Sequence, residues 1–156
     1  MKTQVPLISP AQHQQLLASI SARAQLSRHG VQDLSRDERI YYAVTALRDT
    51  LINDGLEYFI TNCGPAMLGD AITGLIQLKA NRTLATVLRA AGIVYSKGDV
   101  RRGAQIDEYA AQDEIEDDCD ELAELDDMLM DDPDRIAERL EAFAHRQNLV
   151  VTVLAE

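Results

Sequence analysis

Between Asp107 and Asp134, 28 consecutive residues carry 15 Asp or Glu side chains and no Lys, Arg or His. The rest of the chain has a formal charge of +4, so this one segment sets the net charge of −11. Charge this dense can be folded only if the few apolar residues within it share one side and leave the carboxylates in water. They are spaced to do so. Ile115, Cys119, Leu122, Leu125, Met128 and Leu129 recur at helical intervals, which predicts a helix with an apolar stripe and not a formless tail. Asp132-Pro133 ends it and opens another helix, whose Ile136, Leu140 and Phe143 face inward. The carboxylates oppose this helix. Asp113–Asp117, Glu114–Asp118, Glu116–Asp120, Asp117–Glu121 and Asp120–Glu124 are like-charge pairs at i,i+4, each unfavourable by a few tenths of a kcal/mol. Arg101, Arg102 and Arg135 stand only at the margins, so the apolar stripe must be held by a core elsewhere.

The remaining sequence supplies one. At 156 residues and 46% hydrophobic, the chain is long enough for a single domain with its own core. Aromatic residues are few, and Ala and Leu, both strong helix formers, dominate the apolar set. Ser9-Pro10-Ala11-Gln12 predicts a helix start, followed by Leu16, Leu17, Ile20 and Ala24 at helical spacing and Gly30 as a stop. Ser35-Arg36-Asp37-Glu38 is a capping box ahead of Ile40, Ala43, Val44, Leu47 and Leu51. That helix should end at Asn53-Asp54-Gly55. A short helix over Leu56–Thr61 is then punctuated by Asn62-Cys63-Gly64-Pro65, before Met67, Leu68, Ala71, Ile72, Leu75 and Ile76 mark the next. Asn81 is placed to cap a helix carrying Leu84, Val87, Leu88, Ala91 and Val94, and Ser96–Gly103 reads as a loop or subdomain boundary. The last apolar run, Leu149–Leu154, is strand-like by β-branching and fits an edge strand, an extended arm or a final helical turn. The expected fold is an all-α, single-domain bundle of six to eight helices. Its parts are an N-terminal helix in 1–35, a helical core in 36–100 and an acidic helical part in 104–156.

Within that core, Ile40 to Tyr95 carries a recognisable pattern. Tyr42-Ala43-Val44 leads into Leu51-Ile52-Asn53-Asp54-Gly55-Leu56-Glu57-Tyr58-Phe59-Ile60-Thr61-Asn62-Cys63-Gly64. An Ala-Leu helix, Ala71-Ile72-Thr73-Gly74-Leu75, is followed by the turn Leu78-Lys79-Ala80 and by Leu84 to Ala91. This resembles a family of helical bacterial domains of unknown function, best known from a DNA-mimic protein, over a little over a third of the chain. The sequence departs from the family pattern where Asp54 stands for a Gly, Leu56 for a Phe and Lys79 for the Gly of the turn. Gly55 is expected to supply a left-handed backbone, Tyr58 and Phe59 to pack, and Asn62 to cap or turn. The resemblance implies an all-helical fold, and it implies acidic side chains that imitate DNA phosphates and occupy a transcription factor.

The acidic block bears on that implication independently. Duplex DNA carries one charge per ~1.7 Å of axis. Were Asp107–Asp134 one continuous helix, its 15 acids would present one per roughly 2.8 Å along about 42 Å, and a symmetric dimer would bring two such faces together. The expected phosphate-mimicking residues are Asp113, Glu116, Asp117, Asp120, Glu121, Glu124, Asp127 and Asp131. The first function expected is a non-enzymatic acidic protein, monomer or homodimer, that occupies a basic DNA-binding protein such as a transcription factor. A second is an immunity or antitoxin-like protein that blocks a basic toxin, and a third is an enzyme with a site at Asn53–Asn62.

Other chemistry fits less well. From Asp113 the sixth position of an EF-hand loop falls on Asp118 where Gly is needed, and no glycine follows Gly103. His13, His29 and His145 have no ligand spacing with Cys63 or Cys119, so no zinc site is predicted, and the two cysteines read as free thiols with a disulfide left open. Gly55 and Gly64 belong to no phosphate-binding loop. No cofactor is expected. Arg101-Arg102 alone is too small a patch for nucleic acid, and the acidic block would repel both nucleic acid and acidic membranes. With no signal-peptide run and no stretch of ~18 apolar residues, the expected location is the cytoplasm.

Overall fold

The computed structural model describes residues 10–103, 120–147 and Leu149, and all structural statements concern these. They form α1 (Pro10–Leu26), a 3-10 turn (Gly30–Asp33), α2 (Arg36–Asn53), α3 (Leu56–Gln77), α4 (Asn81–Gly103), α5 (120–130) and α6 (Ile136–Arg146). No strand occurs among them, and the all-α expectation holds. The strand-like run after Leu149 lies outside the described residues, as does Ser9.

Each helix is set by local chemistry. Ser35 and Glu38 close the reciprocal capping box of α2, with the Glu38 N–H donating to Ser35 Oγ at 3.2 Å and the Ser35 N–H to Glu38 Oε1 at 3.3 Å. α2 ends at the expected triplet, where Gly55 has φ 90°. α3 is two helical segments joined at Gly64 (φ 85°), and Pro65 starts the second with the φ its ring already fixes. The turn that ends α3 is a Schellman motif, with Ala80 N–H donating to Leu75 O at 3.0 Å and Lys79 N–H to Ile76 O at 3.1 Å. Lys79 takes the left-handed position (φ 57°) that the family pattern gives to glycine. Among these helices α1 ends early, at Leu26, and Gly30 (φ 62°) opens the 3-10 turn four residues later.

One buried cluster joins all six helices. Leu16 and Ile20 of α1, Ile40, Tyr41, Val44 and Leu47 of α2, Phe59, Leu68 and Leu75 of α3, Val87 of α4, Leu122, Leu125 and Leu129 of α5, and Leu140 and Phe143 of α6 all belong to it. α3 meets α2 closely at Gly74. A Cβ there would stand 2.6 Å from Val44 Cγ2 and 2.9 Å from Ile40 Cγ2, so only glycine permits the approach. His13 Nδ1 and the Tyr41 hydroxyl share a hydrogen bond that ties α1 to α2, and Arg23 pairs with Glu38 across the same joint. Burial, followed by the Arg48 charge, lowers the His13 pKa from its ordinary 6.5, while burial pushes the Tyr41 phenol well up.

Three expectations fail. Ser96–Gly103 is no loop: the helix runs on to Gly103, because a charged segment with two glycines still propagates a helix already nucleated by 15 residues. Asn81 is the first residue of α4 and not its cap, and its side chain is exposed. Tyr58, Ile76, Leu88 and Met128 carry the right spacing but sit at the edge of their stripes and are about half exposed or more.

Among the described residues no helix is long and apolar enough to cross a membrane, and no group of three His, Cys, Asp or Glu side chains is placed to hold a metal ion. Cys63 is a half-buried free thiol whose pKa burial raises, while Cys119 lies outside the described residues.

Candidate functional site

Most of the described acids of the segment, from Asp120 on, fall into two sets with different surroundings. Three carboxylates point into the fold, and each meets a helix N-terminus that has no side-chain acceptor of its own. α3 begins after Gly55, and its first N–H, that of Leu56, donates to Asp126 Oδ1 at 2.9 Å. α4 begins after Ala80, whose carbonyl accepts the first helical bond, and the Thr83 N–H donates to Asp134 Oδ2 at 2.6 Å. α6 begins after Arg135, in a left-handed conformation (φ 50°), and the Ile136 N–H donates to Asp132 Oδ1 at 2.9 Å. Gly, Ala and Arg cannot cap with a side chain, so Asp126 of α5 and Asp132 and Asp134 of the turn between α5 and α6 do it for them. The negative charge also meets the positive end of each helix dipole. Asp134 is buried for this purpose, at 8% exposure. At the other end of α3, Arg139 Nη1 donates to Leu78 O at 2.9 Å and Lys79 O at 2.7 Å, so the C-terminal part of the chain closes α3 with an acid at its start and a base at its end.

The second set faces outward. Each residue turns an α-helix by ~100°. On α5 this sends Leu122, Leu125 and Leu129 to the core and Asp120, Glu124 and Asp127 to the opposite side, within about 60° of arc. Asp131, one residue past the helix, continues their spacing, and all four are exposed. None of the four has an ion-pair partner among the described residues. Glu121 and Asp126 flank the buried stripe on either side and both are held, Glu121 by Arg89 of α4 and Asp126 by the start of α3. Of the sequence-derived candidates, then, Asp120, Glu124, Asp127 and Asp131 form one row and Glu121 is paired. Asp113, Glu116 and Asp117 lie outside the described residues.

The row is sparser than the whole-segment count. Its carboxylates succeed one another at about 5 Å of helical rise, against ~3.4 Å per phosphate along one DNA strand. Two effects account for the difference: Asp126, Asp132 and Asp134 are turned inward, and the helix stops at residue 130 where Asp132 (φ 48°) and Arg135 (φ 50°) reverse the chain.

Beside the end of the row, α2, α4, α5 and α6 leave a cleft of about 120 Å³. Leu51, Ile52, Leu129, Met130 and Ile136 form most of its lining, with Arg48 and Asp132 adding polar groups. The alternative site at Asn53–Asn62 has no such convergence. The Asn53 amide donates to Asp49 O at 2.8 Å and the Asn62 amide to Tyr58 O at 3.1 Å, so each is engaged one turn back along its own helix.

These features define an all-helical protein that displays a carboxylate row on a helix locked from behind by its own acids. The chain belongs to the DMP19-like protein family, whose model matches residues 32–148 and so takes in α2 through α6 and the whole acidic segment while leaving α1 outside. That is the family, best known from a DNA-mimic protein, to which Ile40–Tyr95 bears its resemblance. No curated protein and no solved structure matches the chain.

Proposed function

We propose that this chain is a non-enzymatic binding protein whose outward carboxylate row occupies the DNA-binding surface of a basic DNA-binding protein, a transcription factor being the type of target its family suggests. One observation carries the reading. Asp120, Glu124, Asp127 and Asp131 stand opposite the buried stripe, exposed and with no ion-pair partner among the described residues, whereas the other described acids of the same stretch, Glu121, Asp126, Asp132 and Asp134, are each held by a neighbouring helix. A row of like charges without a structural task is a surface for a cationic partner. Asp113 and Asp117 precede Asp120 and Glu124 by seven residues each, the spacing that would extend the row, and Glu116 is the sequence neighbour of Asp117. Two copies related by symmetry would double it.

The test is capture from native lysate at low salt, followed by elution with rising salt and with duplex DNA. A basic DNA-binding protein that both treatments release, and that the variant Asp120→Asn/Glu124→Gln/Asp127→Asn/Asp131→Asn no longer holds, is the expected result. Retention of that protein by the variant at wild-type affinity sinks the proposal. Release of a basic toxin instead would move the reading to an immunity protein with the same electrostatics.

A further inference from the structure

We propose that the cleft at the end of the acid row takes one aliphatic side chain of the same basic partner, so that recognition is charge along α5 and a single apolar anchor beside it. This rests on the reading of the row as a docking face. The cleft and the row are continuous: Leu129 and Met130 wall the cleft, Asp131 is the last member of the row, and Asp132 returns to the cleft rim. Ile136 of α6 forms another part of the wall, and Ile52 of α2 completes it. Ile52 and Met130 remain 61% and 54% exposed, so apolar surface stands open to water where the row ends. At about 120 Å³ the space exceeds several waters and falls short of the ~150 Å³ cavity that accepts a benzene ring, which suits an aliphatic side chain.

The charges decide which surface brings that side chain. A second copy of this chain would set its own acids against Asp127 and Asp131, whereas a basic surface gains from both. Arg48 reaches the same cleft and has no ion-pair partner among the described residues, so its guanidinium can donate to a backbone carbonyl of the incoming segment. The anchor also answers a problem that charge alone leaves open. A row of carboxylates holds any basic protein, while a slot of fixed size gives one partner an affinity that others lack.

Two lysine-rich helical peptides of twelve residues, identical except for one central Leu or Ala, test this against the full-length protein by fluorescence anisotropy. In parallel, the Ile52 δ1 and Met130 ε methyl resonances are followed by NMR. The Leu peptide is expected to bind about tenfold tighter, to survive salt that releases the Ala peptide, and to shift both methyls. The double variant Ile52→Ser/Met130→Ser, at two exposed positions, should erase that advantage and leave the Ala peptide unchanged. Equal binding of the two peptides, or a Leu advantage that persists in the double variant, overturns the anchor and leaves the row reading intact. If neither peptide binds at low salt, the row reading fails and the anchor fails with it.

Discussion

Asp134 and Asp127 are seven residues apart in the same acidic segment and have opposite consequences for the fold. Asp134 is buried and accepts the Thr83 N–H at the start of α4. Asp127 is exposed between Glu124 and Asp131, two more carboxylates on the same side. An acid at a helix N-terminus is favoured by N–H donors and by the helix dipole, while an acid one turn from another is repelled. The segment therefore contains its own stabilising and destabilising halves, and identical chemistry at a different azimuth reverses the sign of a substitution.

The widest separation should come from Asp134. Asp134→Ala leaves a buried N–H without its charged acceptor and is expected to lower stability by about 2–3 kcal/mol, read as a shift of the urea midpoint with unchanged slope. Asp134→Asn keeps an acceptor and should lose roughly half as much. A loss under about 0.5 kcal/mol for the alanine variant would place Asp134 with the outward acids and break the comparison.

Gly55 and Asp126 sharpen it at the next helix. Gly55 has φ 90°, and a Cβ there would lie 2.7 Å from Asp126 Oδ2. Gly55→Ala should cost about 1–2 kcal/mol from backbone strain and from displacing the cap. Asp126→Ala should cost about 1 kcal/mol as a lost cap. Because removal of Asp126 also removes the clash, the double variant should lose less than the two singles together. Strict additivity, measured by urea denaturation of all three, would mean that Asp126 does not touch this turn.

How far these features were legible in sequence follows from the range of the interaction. The capping box at Ser35–Glu38, the end of α2 at Gly55 and the break at Gly64-Pro65 are written in residues within four positions of each other, and all three form as the sequence predicts. The apolar stripe of the acidic helix was legible for the same reason, since Leu122, Leu125 and Leu129 need only helical spacing to share a face. Met128 has nearly the same spacing and is exposed, because the edge of a stripe is decided by which neighbour helix happens to cover it. Division of the acids into caps and row was not legible, for Thr83 and Asp134 are 51 residues apart and Leu56 and Asp126 are 70 apart. A partial signal was present: Gly55, Ala80 and Arg135 precede helices yet cannot cap them, which leaves three N-termini in need of an acceptor from elsewhere. The role of Arg89 was not legible either, as only the packing of α4 on α5 brings it to Glu121.

A smaller effect separates the carboxylates from the half-buried imidazole of His13. The folded state holds the His13 pKa below its ordinary 6.5 through burial and the Arg48 charge. The unfolded chain therefore takes up the proton first, and the contribution of neutral His13 is whole above pH 6.5 and is lost as pH falls below it. Wild-type stability should therefore fall between pH 7 and pH 5, by an amount that solvent screening at this half-exposed ring keeps small. His13→Gln, which can still hydrogen-bond Tyr41, should flatten that slope. An undiminished slope in the variant would assign the acid sensitivity to the carboxylates and not to the joint between α1 and α2.

The smallest stability effect is the most telling, because its sign is reversed. In Asp120→Asn/Glu124→Gln/Asp127→Asn/Asp131→Asn, three successive like-charge contacts disappear, each worth a few tenths of a kcal/mol. Thermal unfolding should therefore occur a degree or two higher than in wild type, and the difference should shrink as added salt screens the row. In the same assay Asp134→Asn moves the other way. A destabilised quadruple variant would show that the row serves the fold after all. A stabilised one leaves four carboxylates that weaken the helix they sit on and bond to nothing within it, and such a row has its use in contact with a cationic surface outside the chain.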